Sequence, residues 1–105
     1  MNSEMSVPFE LIRWESIAKP SLPILQNMLM QQGLLATQVE LEKGYKTEEQ
    51  ELEKEKTYVV VSGNLQFAFP GYGSIDLLPG DILSISARIR HHVSTSNAVT
   101  LLETN

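Results

Sequence analysis

Glycine and proline residues recur along this chain, and the short segments between them constrain the fold more than any other feature. The dividing residues are Pro20, Pro23, Gly33, Gly44, Gly63, Pro70, Gly71, Gly73, Pro79 and Gly80. Several of the segments between them are short, such as residues 24–32 and 34–43, and turn residues about 8 to 12 positions apart are typical of an all-β sandwich or barrel. The spacing therefore predicts an all-β protein whose short strands are joined by tight turns.

Side-chain patterns within these segments indicate individual strands and turns. Residues 65–69 alternate, with the odd-numbered apolar side chains on one face, and residues 99–101 repeat this alternation. Residues 57–61 are β-branched or aromatic throughout, which predicts a strand buried on both faces. Residues 69–74 predict a hairpin loop and residues 78–81 a tight turn, because proline presets φ ahead of a glycine.

Two segments are ambiguous between helix and strand. Residues 21–33 begin with serine and an early proline, place leucine and methionine on one helical face and end at Gly33. Residues 47–56 begin with Thr47 and carry Gln50 three positions later, a pattern typical of a helix N-terminus. Local pattern alone leaves both segments open.

Composition excludes several classes of function. The chain has 105 residues, room for one domain, and a formal net charge of −5 from 13 acidic and 8 basic residues. Nucleic-acid binding requires an excess of lysine and arginine, so we expect no nucleic-acid partner and little attraction to anionic membranes. The absence of cysteine excludes disulfides, a thiolate nucleophile and a cysteine-based zinc site.

Targeting and catalytic motifs are also absent from the sequence. The first 14 residues lack the basic and apolar regions of a secretory signal, and no apolar run approaches the ~20 residues of a spanning helix, so we expect a cytoplasmic location. No serine-hydrolase, zinc-protease or phosphate-loop pattern occurs. Residues 40–56 hold seven of the acidic and four of the basic residues, which is typical of a solvated charged surface.

From Gly44 onward, the spacing of residues resembles the two sequence motifs of the cupin family. The first motif is Gly, five residues, His-x-His, three or four residues, Glu, six residues and Gly; here it runs from Gly44 to Gly63. The second is Gly, five residues, Pro-x-Gly, two residues, His, three residues and Asn; here it starts at Gly80 and reaches its histidine at His91. The resemblance covers about residues 33–103.

The resemblance implies a fold and a domain organisation. It implies a small double-stranded β-helix, or jelly-roll, barrel over residues 21–105, preceded by an N-terminal arm over residues 1–20. Within that barrel, residues 39–41 become part of a strand entering Gly44. Residues 21–33 become an early strand, and residues 50–61 become strand and hairpin rather than helix.

Three of the four positions that bind metal in cupins are substituted in this chain, and the fourth keeps its histidine. The corresponding residues are Gln50, Leu52, Lys56 and His91. Only the imidazole is a good ligand for iron, manganese, nickel or zinc, and an ammonium group repels a divalent cation. The resemblance therefore implies a cupin barrel that has lost its metal, with no cofactor and no catalytic residue assigned. A one-residue slip that turned a glutamate at 51, 53 or 55 inward is the alternative, since it would restore a carboxylate.

A ligand-binding set remains at the mouth of the expected barrel. The candidate residues are Gln50, Lys56, Tyr58, Arg88 and His91. Because adjacent strand residues point to opposite faces, only one of His91 and His92 can face the interior, and the motif spacing selects His91. The set implies a cationic interior that binds a small anionic ligand, a carboxylate or a phosphate. Alternatively, Lys56 extends out of the barrel and pairs with a neighbouring glutamate, and His91 is a structural imidazole held by a backbone carbonyl.

Three functions follow from this interpretation. The first is a small-molecule binding or auxiliary protein rather than an enzyme, and the resemblance implies that it forms a homodimer. The second is a metal-dependent oxygenase, isomerase or epimerase with an atypical ligand set around His91. The third is a structural dimeric interaction module, for which the apolar residues of the N-terminal arm would cover a barrel face or reach a partner.

Overall fold

The computed structural model describes residues 9–104, which contain eight β-strands and one α-helix joined by turns and loops. In chain order the elements are β1 (Phe9–Ile12), α1 (Leu22–Gln31), β2 (Ala36–Leu41), β3 (Lys56–Ser62), β4 (Leu65–Phe69), β5 (Gly73–Leu77), β6 (Ile82–Ile85), β7 (His92–Ser94) and β8 (Val99–Thr104). The predominance of short strands agrees with the spacing of glycine and proline. Among these residues, no helix is long and apolar enough to cross a membrane.

The strands form two antiparallel sheets. The five-stranded sheet has the order β1-β6-β3-β8-β2, and the three-stranded sheet has the order β5-β4-β7. Residues 44–50 extend the second sheet, because Lys46 bridges Ser94 and Gln50 bridges His91 along the outer side of β7. Both sheets contribute to one core cluster, which lies between them.

Alternating side chains fill this core, as the sequence predicts. The odd-numbered residues of β4 are buried, and Val99 and Leu101 of β8 are buried as well. In β3, Tyr58 and Val60 face the core between the sheets while Val59 packs on the outer face, so this strand is buried on both sides. The predicted hairpin pairs Phe69 with Gly73. The predicted turn at 78–81 closes with a hydrogen bond from the Asp81 N–H to the Leu78 carbonyl.

Helix α1 occupies most of the segment 21–33, so the strand that the family resemblance implies there is wrong. Ser21 is extended (φ −142°, ψ 159°) at the N-cap, Pro23 lies in the first turn, and Gly33 follows the helix at φ +78°. Proline suits the first turn because its missing N–H has no helical acceptor there. The residues typical of a helix start and stop therefore agree with the structure here, whereas the strand implied by the resemblance does not.

Helix α1 covers the outer face of the five-stranded sheet. Leu25 and Leu29, one helical turn apart, are both about 1% exposed and pack against Val59 and Leu102 of the sheet. Burying an aliphatic side chain contributes about 1.5–3 kcal/mol. This apolar face of the sheet needs a cover, and the i, i+4 leucine pair of a helix provides it.

Residues 47–55 are neither the predicted helix nor a continuous strand. The Thr47 N–H donates to the Val93 carbonyl at 2.9 Å, and the Thr47 hydroxyl accepts from the Val93 N–H at 3.0 Å. Thr47 thus bonds to a neighbouring strand rather than capping a helix. The strand implied for residues 50–61 begins only at Lys56, because residues 51–55 form an irregular connection.

The described part of the predicted N-terminal arm is attached to the barrel. β1 pairs with β6, so residues 9–12 are an edge strand of the five-stranded sheet. Buried Asp81 then accepts hydrogen bonds from Arg13 Nη1 at 2.6 Å and from the Trp14 N–H at 2.8 Å. The Trp14 ring lies against Gly80, where an added Cβ would come within 2.6 Å of it. Residues 1–8 of the arm lie outside the described part.

Candidate functional site

A cavity of about 220 Å³ opens on the side of the barrel where β2, β3, β8 and residues 44–52 meet. Its apolar wall consists of Val39, Leu41, Leu52, Leu65, Val93 and Leu101. Its polar and charged wall consists of Tyr45, Thr47, Gln50, Lys56, Tyr58 and Glu103. Half of the lining is aliphatic and half is polar or charged, so this wall is more polar than the predominantly apolar wall of a typical small-molecule site.

Lys56 and Glu103 form an ion pair in this cavity. The Lys56 Nζ lies 3.5 Å from the Glu103 Oε1, and their side chains are 23% and 29% exposed. The sheet register explains the contact. Glu103 lies directly opposite Tyr58 in the β3–β8 pair, and Tyr58 is two residues from Lys56 on the same face of β3, so Lys56 and Glu103 are diagonal neighbours. The charges of the lining side chains therefore sum to zero, and the predicted cationic interior is wrong. The pairing of Lys56 with a glutamate is confirmed, but Lys56 lines the cavity and does not extend out of the barrel as that alternative expected.

Tyr58 separates this ion pair from the core. Its side chain is 7% exposed, and its ring lies 5.1 Å from the Phe67 ring and 5.8 Å from the Lys56 Nζ. Burial, with smaller contributions from Glu103 and Tyr45, raises the pKa of the Tyr58 phenol well above its ordinary value. The phenol is therefore neutral at physiological pH.

Gln50 and His91 are directly opposed across the edge of the second sheet. The Gln50 N–H donates to the His91 carbonyl at 2.8 Å, and the His91 N–H donates to the Gln50 carbonyl at 3.0 Å. Residues that exchange both hydrogen bonds carry their side chains on the same face. Gln50 lines the cavity, whereas His91 is completely buried and lies outside the lining.

His91 is an interior imidazole held by the backbone. Its Nδ1 lies 2.9 Å from the Ile89 carbonyl oxygen, which can only accept a hydrogen bond, so Nδ1 is the donor in this contact. Its Nε2 is buried without a hydrogen-bond partner in residues 9–104, and the ring lies near those of Phe67 and Phe69. His92 is exposed. The predicted interior position of His91 is confirmed, and the backbone carbonyl contact matches its structural alternative.

Arg88 lies on the surface, outside the cavity lining. Its φ of +68° is in the left-handed region that favours glycine, and its N–H donates to the Leu52 carbonyl at 2.7 Å. The family resemblance places Arg88 at a glycine position of the second motif, which accounts for this conformation. Of the five candidate residues, the structure brings Gln50, Lys56 and Tyr58 together in one cavity.

The residues at the cupin metal positions do not fit a divalent metal. Leu52 has no donor atom, and the Lys56 ammonium is already paired with a carboxylate. The glutamates at 51, 53 and 55 are exposed, so the alternative register that turned one of them inward is wrong. Within residues 9–104, no three His, Asp or Glu side chains are grouped closely enough to hold a metal ion.

Sequence reasoning missed Glu103, Tyr45 and Thr47 as cavity residues. For Glu103 a signal existed, because it continues the alternation of Val99 and Leu101 by two residues and therefore shares their face. No comparable signal marks Tyr45 and Thr47, since they lie in an irregular segment whose side chains do not alternate regularly between two faces.

Comparison with known proteins supports the architecture. No protein-family model matches the sequence, and no curated protein matches it. A cupin superfamily protein from Desulfitobacterium hafniense superposes at a TM-score of 0.61 and 15% identity, over 100% of this chain and 93% of that one. A cupin-2 domain protein from Shewanella frigidimarina gives 0.60 at 20% identity over 67% of each chain. A cupin domain from Bordetella pertussis gives 0.52 at 14% identity, over 86% of this chain and 97% of that one.

At identities this low, the superpositions establish the fold only, and the chemistry of the cavity has to be argued from the side chains of this chain. The two antiparallel sheets, the core between them and the similarity along the full length of the chain agree with one another. The jelly-roll barrel that turn spacing and motif spacing predicted is confirmed: this chain has the cupin fold.

Proposed function

We propose that this chain binds a small molecule in the cavity beside Lys56, and that the ligand carries one carboxylate next to a hydrogen-bond donor such as an amine or hydroxyl. The observation that carries the proposal is the Lys56–Glu103 ion pair in an otherwise uncharged wall. The ligand carboxylate would contact Lys56, and the neighbouring donor would face Glu103.

The length of the Lys56–Glu103 contact supports an ammonium group that can also bond to a ligand. A charge-assisted N–H···O bond is about 2.7–2.9 Å long, whereas Lys56 and Glu103 are 3.5 Å apart. The ammonium has three donors, so one carboxylate does not exhaust its capacity. A phosphate dianion is disfavoured because Glu103 would repel its second charge. A single carboxylate is therefore the better match.

The remainder of the cavity supports an apolar ligand body. Six aliphatic side chains form half of the lining, and the volume of about 220 Å³ restricts the ligand to a small molecule. Gln50 and Thr47 add neutral hydrogen-bonding groups at the wall. This open cavity favours binding over an interaction module with a filled barrel, and the donor set at the metal positions does not support a metal-dependent enzyme.

Isothermal titration with three acids of one carbon skeleton tests the proposal. The probes are 4-methylpentanoate, its 2-hydroxy derivative and leucine, which differ only in the group beside the carboxylate. We expect the hydroxy acid and leucine to bind more tightly than the unsubstituted acid. A hydrogen bond to a charged group contributes about 1.5–3 kcal/mol, so Lys56→Met should weaken all three about tenfold or more.

Two further variants separate the roles of the ion pair. Glu103→Gln should weaken leucine and strengthen the unsubstituted acid, because the donor loses its partner while Lys56 loses its competitor. Lys46→Met is the matched control, since Lys46 is exposed and outside the lining, and its affinities should equal those of the wild type. The proposal is overturned if no probe binds at millimolar concentration, or if Lys56→Met and Lys46→Met behave alike.

A further inference from the structure

The two sheets have four edges, and the described chain protects three of them. β1 is only four residues long. The outer side of β5 receives Arg13, whose Nη1 donates to the Asp76 carbonyl at 2.7 Å. The outer side of β7 is covered by residues 44–50. Short edge strands, charged side chains and covering segments all reduce pairing with other chains.

The fourth edge, β2, is six residues long, is not covered by another segment of residues 9–104, and carries one charged side chain, Glu40. Its six residues pair with β8 without a register shift and contain no proline and no lysine. On the side away from β8, no backbone hydrogen bond joins β2 to another segment of residues 9–104. An unbroken edge of this kind presents a row of backbone donors and acceptors to another strand.

We propose that β2 pairs antiparallel with β2 of a second copy of this chain, about a two-fold axis at Val39. The pairing would join the two five-stranded sheets into one ten-stranded sheet. A two-fold axis perpendicular to the sheet keeps each side chain on its own face, so residues of equal parity must oppose each other. Centring the pair on Val39 satisfies this condition.

The sequence of β2 is complementary to itself in this register. Val39 opposes Val39 of the second copy, Thr37 opposes Leu41, and Gln38 opposes Glu40, so the single charged residue of the strand meets an amide. The same amide and carboxylate already bond within one chain, where Gln38 Nε2 donates to Glu40 Oε2 at 2.8 Å. No like charges oppose each other, so this register avoids the repulsion that often destabilises the pairing of identical strands.

Exposed apolar side chains adjoin this edge. Leu35 is 85% exposed just before β2, and Met30 is 60% exposed near the end of α1. Both line a cleft of about 240 Å³ together with Ala36, the first residue of β2. In the proposed register, Leu35 would lie diagonal to Leu41 of the second copy, at the end of the ladder, so pairing would cover apolar surface.

A single engineered cysteine tests the interface, because the chain has no cysteine of its own. Opposed residues of an antiparallel pair have Cα atoms about 4.5–5.5 Å apart, within reach of a disulfide. Val39→Cys should therefore form a covalent dimer on mild oxidation. Thr37→Cys is the matched control: its two copies would lie about 13 Å apart, four residues along the strand, and should stay unlinked. Thermal unfolding should confirm that both variants fold.

Analytical ultracentrifugation completes the test. We expect the wild type to dimerise with rising concentration, Gln38→Glu to raise the dimer Kd several-fold, and Gln38→Lys to lower it several-fold. The signs follow because residue 38 would oppose Glu40 of the second copy twice in each dimer. A wild-type chain that stays monomeric at every concentration, or equal cross-linking of Val39→Cys and Thr37→Cys, would overturn the proposal.

Discussion

The two sides of the barrel interior differ in how completely their own side chains fill them. On the closed side, next to β1 and β5, Phe9 stacks on Phe69 with ring centroids 4.3 Å apart, and Phe69 lies 6.5 Å from Phe67. Asp81 accepts hydrogen bonds from Arg13 and from the Trp14 backbone N–H, which hold the segment after β1 against the turn before β6. On the open side, next to β2 and residues 44–52, the cavity replaces this packing.

The difference shows that the closely packed aromatic side chains and the cavity proposed to bind a ligand occupy different halves of one small core. The closed side has aromatic contacts and a buried carboxylate with three hydrogen bonds, all of which favour the folded state. The open side has aliphatic walls, a long ion pair and a strand edge that no segment of residues 9–104 covers. Substitutions on the two sides should therefore have separable effects.

The largest expected effect is on the closed side. Phe69→Ala should lower the free energy of unfolding by about 3–5 kcal/mol, because it removes a 2% exposed ring and leaves a cavity. Leu52→Ala on the open side should cost only about 1 kcal/mol, since this side chain is half-buried and already faces a cavity. Urea unfolding at one low protein concentration measures both; equal losses would contradict the division into two sides.

Sequence patterns predicted the closed side better than the open side. Alternation identified the buried phenylalanines of β4, and Ser21, Pro23 and the leucine spacing indicated α1 as one of the two alternatives for that segment. These signals are local, because each element repeats its own period. The open side depends on residues that meet only after folding: Lys56 finds Glu103 through the β3–β8 register, and Thr47 binds Val93 instead of capping a helix.

Arg88 shows the limit of motif spacing. The spacing located the turn correctly, and the backbone there is in the left-handed conformation that a glycine would favour. It did not locate the side chain, which lies on the surface outside the cavity. Spacing predicts where the backbone turns, whereas the placement of a long side chain depends on neighbours from other segments.

Tyr58 should make the stability of the open side depend on alkaline pH. Its folded pKa lies above the ordinary value of 10.0, so above pH 10 the unfolded chain releases a proton that the folded chain retains. The stabilising contribution is complete below pH 10 and is lost as the pH rises further, by about 1.4 kcal/mol per pH unit. Tyr58→Phe should remove this slope in urea unfolding between pH 9 and 11; an identical slope in both proteins would assign it to other groups.

The smallest expected effect is the contribution of the Lys56–Glu103 pair to folding. Partly exposed ion pairs contribute about 0–1 kcal/mol, and methionine at position 56 can still pack along the Tyr58 ring. A double-mutant cycle of Lys56→Met and Glu103→Gln should therefore give a coupling free energy below about 1 kcal/mol that decreases with added salt.

This small value matters because it separates binding from folding. If Lys56→Met abolishes ligand binding yet leaves the unfolding midpoint nearly unchanged, the loss reflects the missing ammonium rather than a damaged barrel. A coupling free energy of about 3 kcal/mol or more would instead make the pair a buried structural contact. In that case the open side would be held together as firmly as the closed side, and the ion pair would have no free donor to offer a ligand.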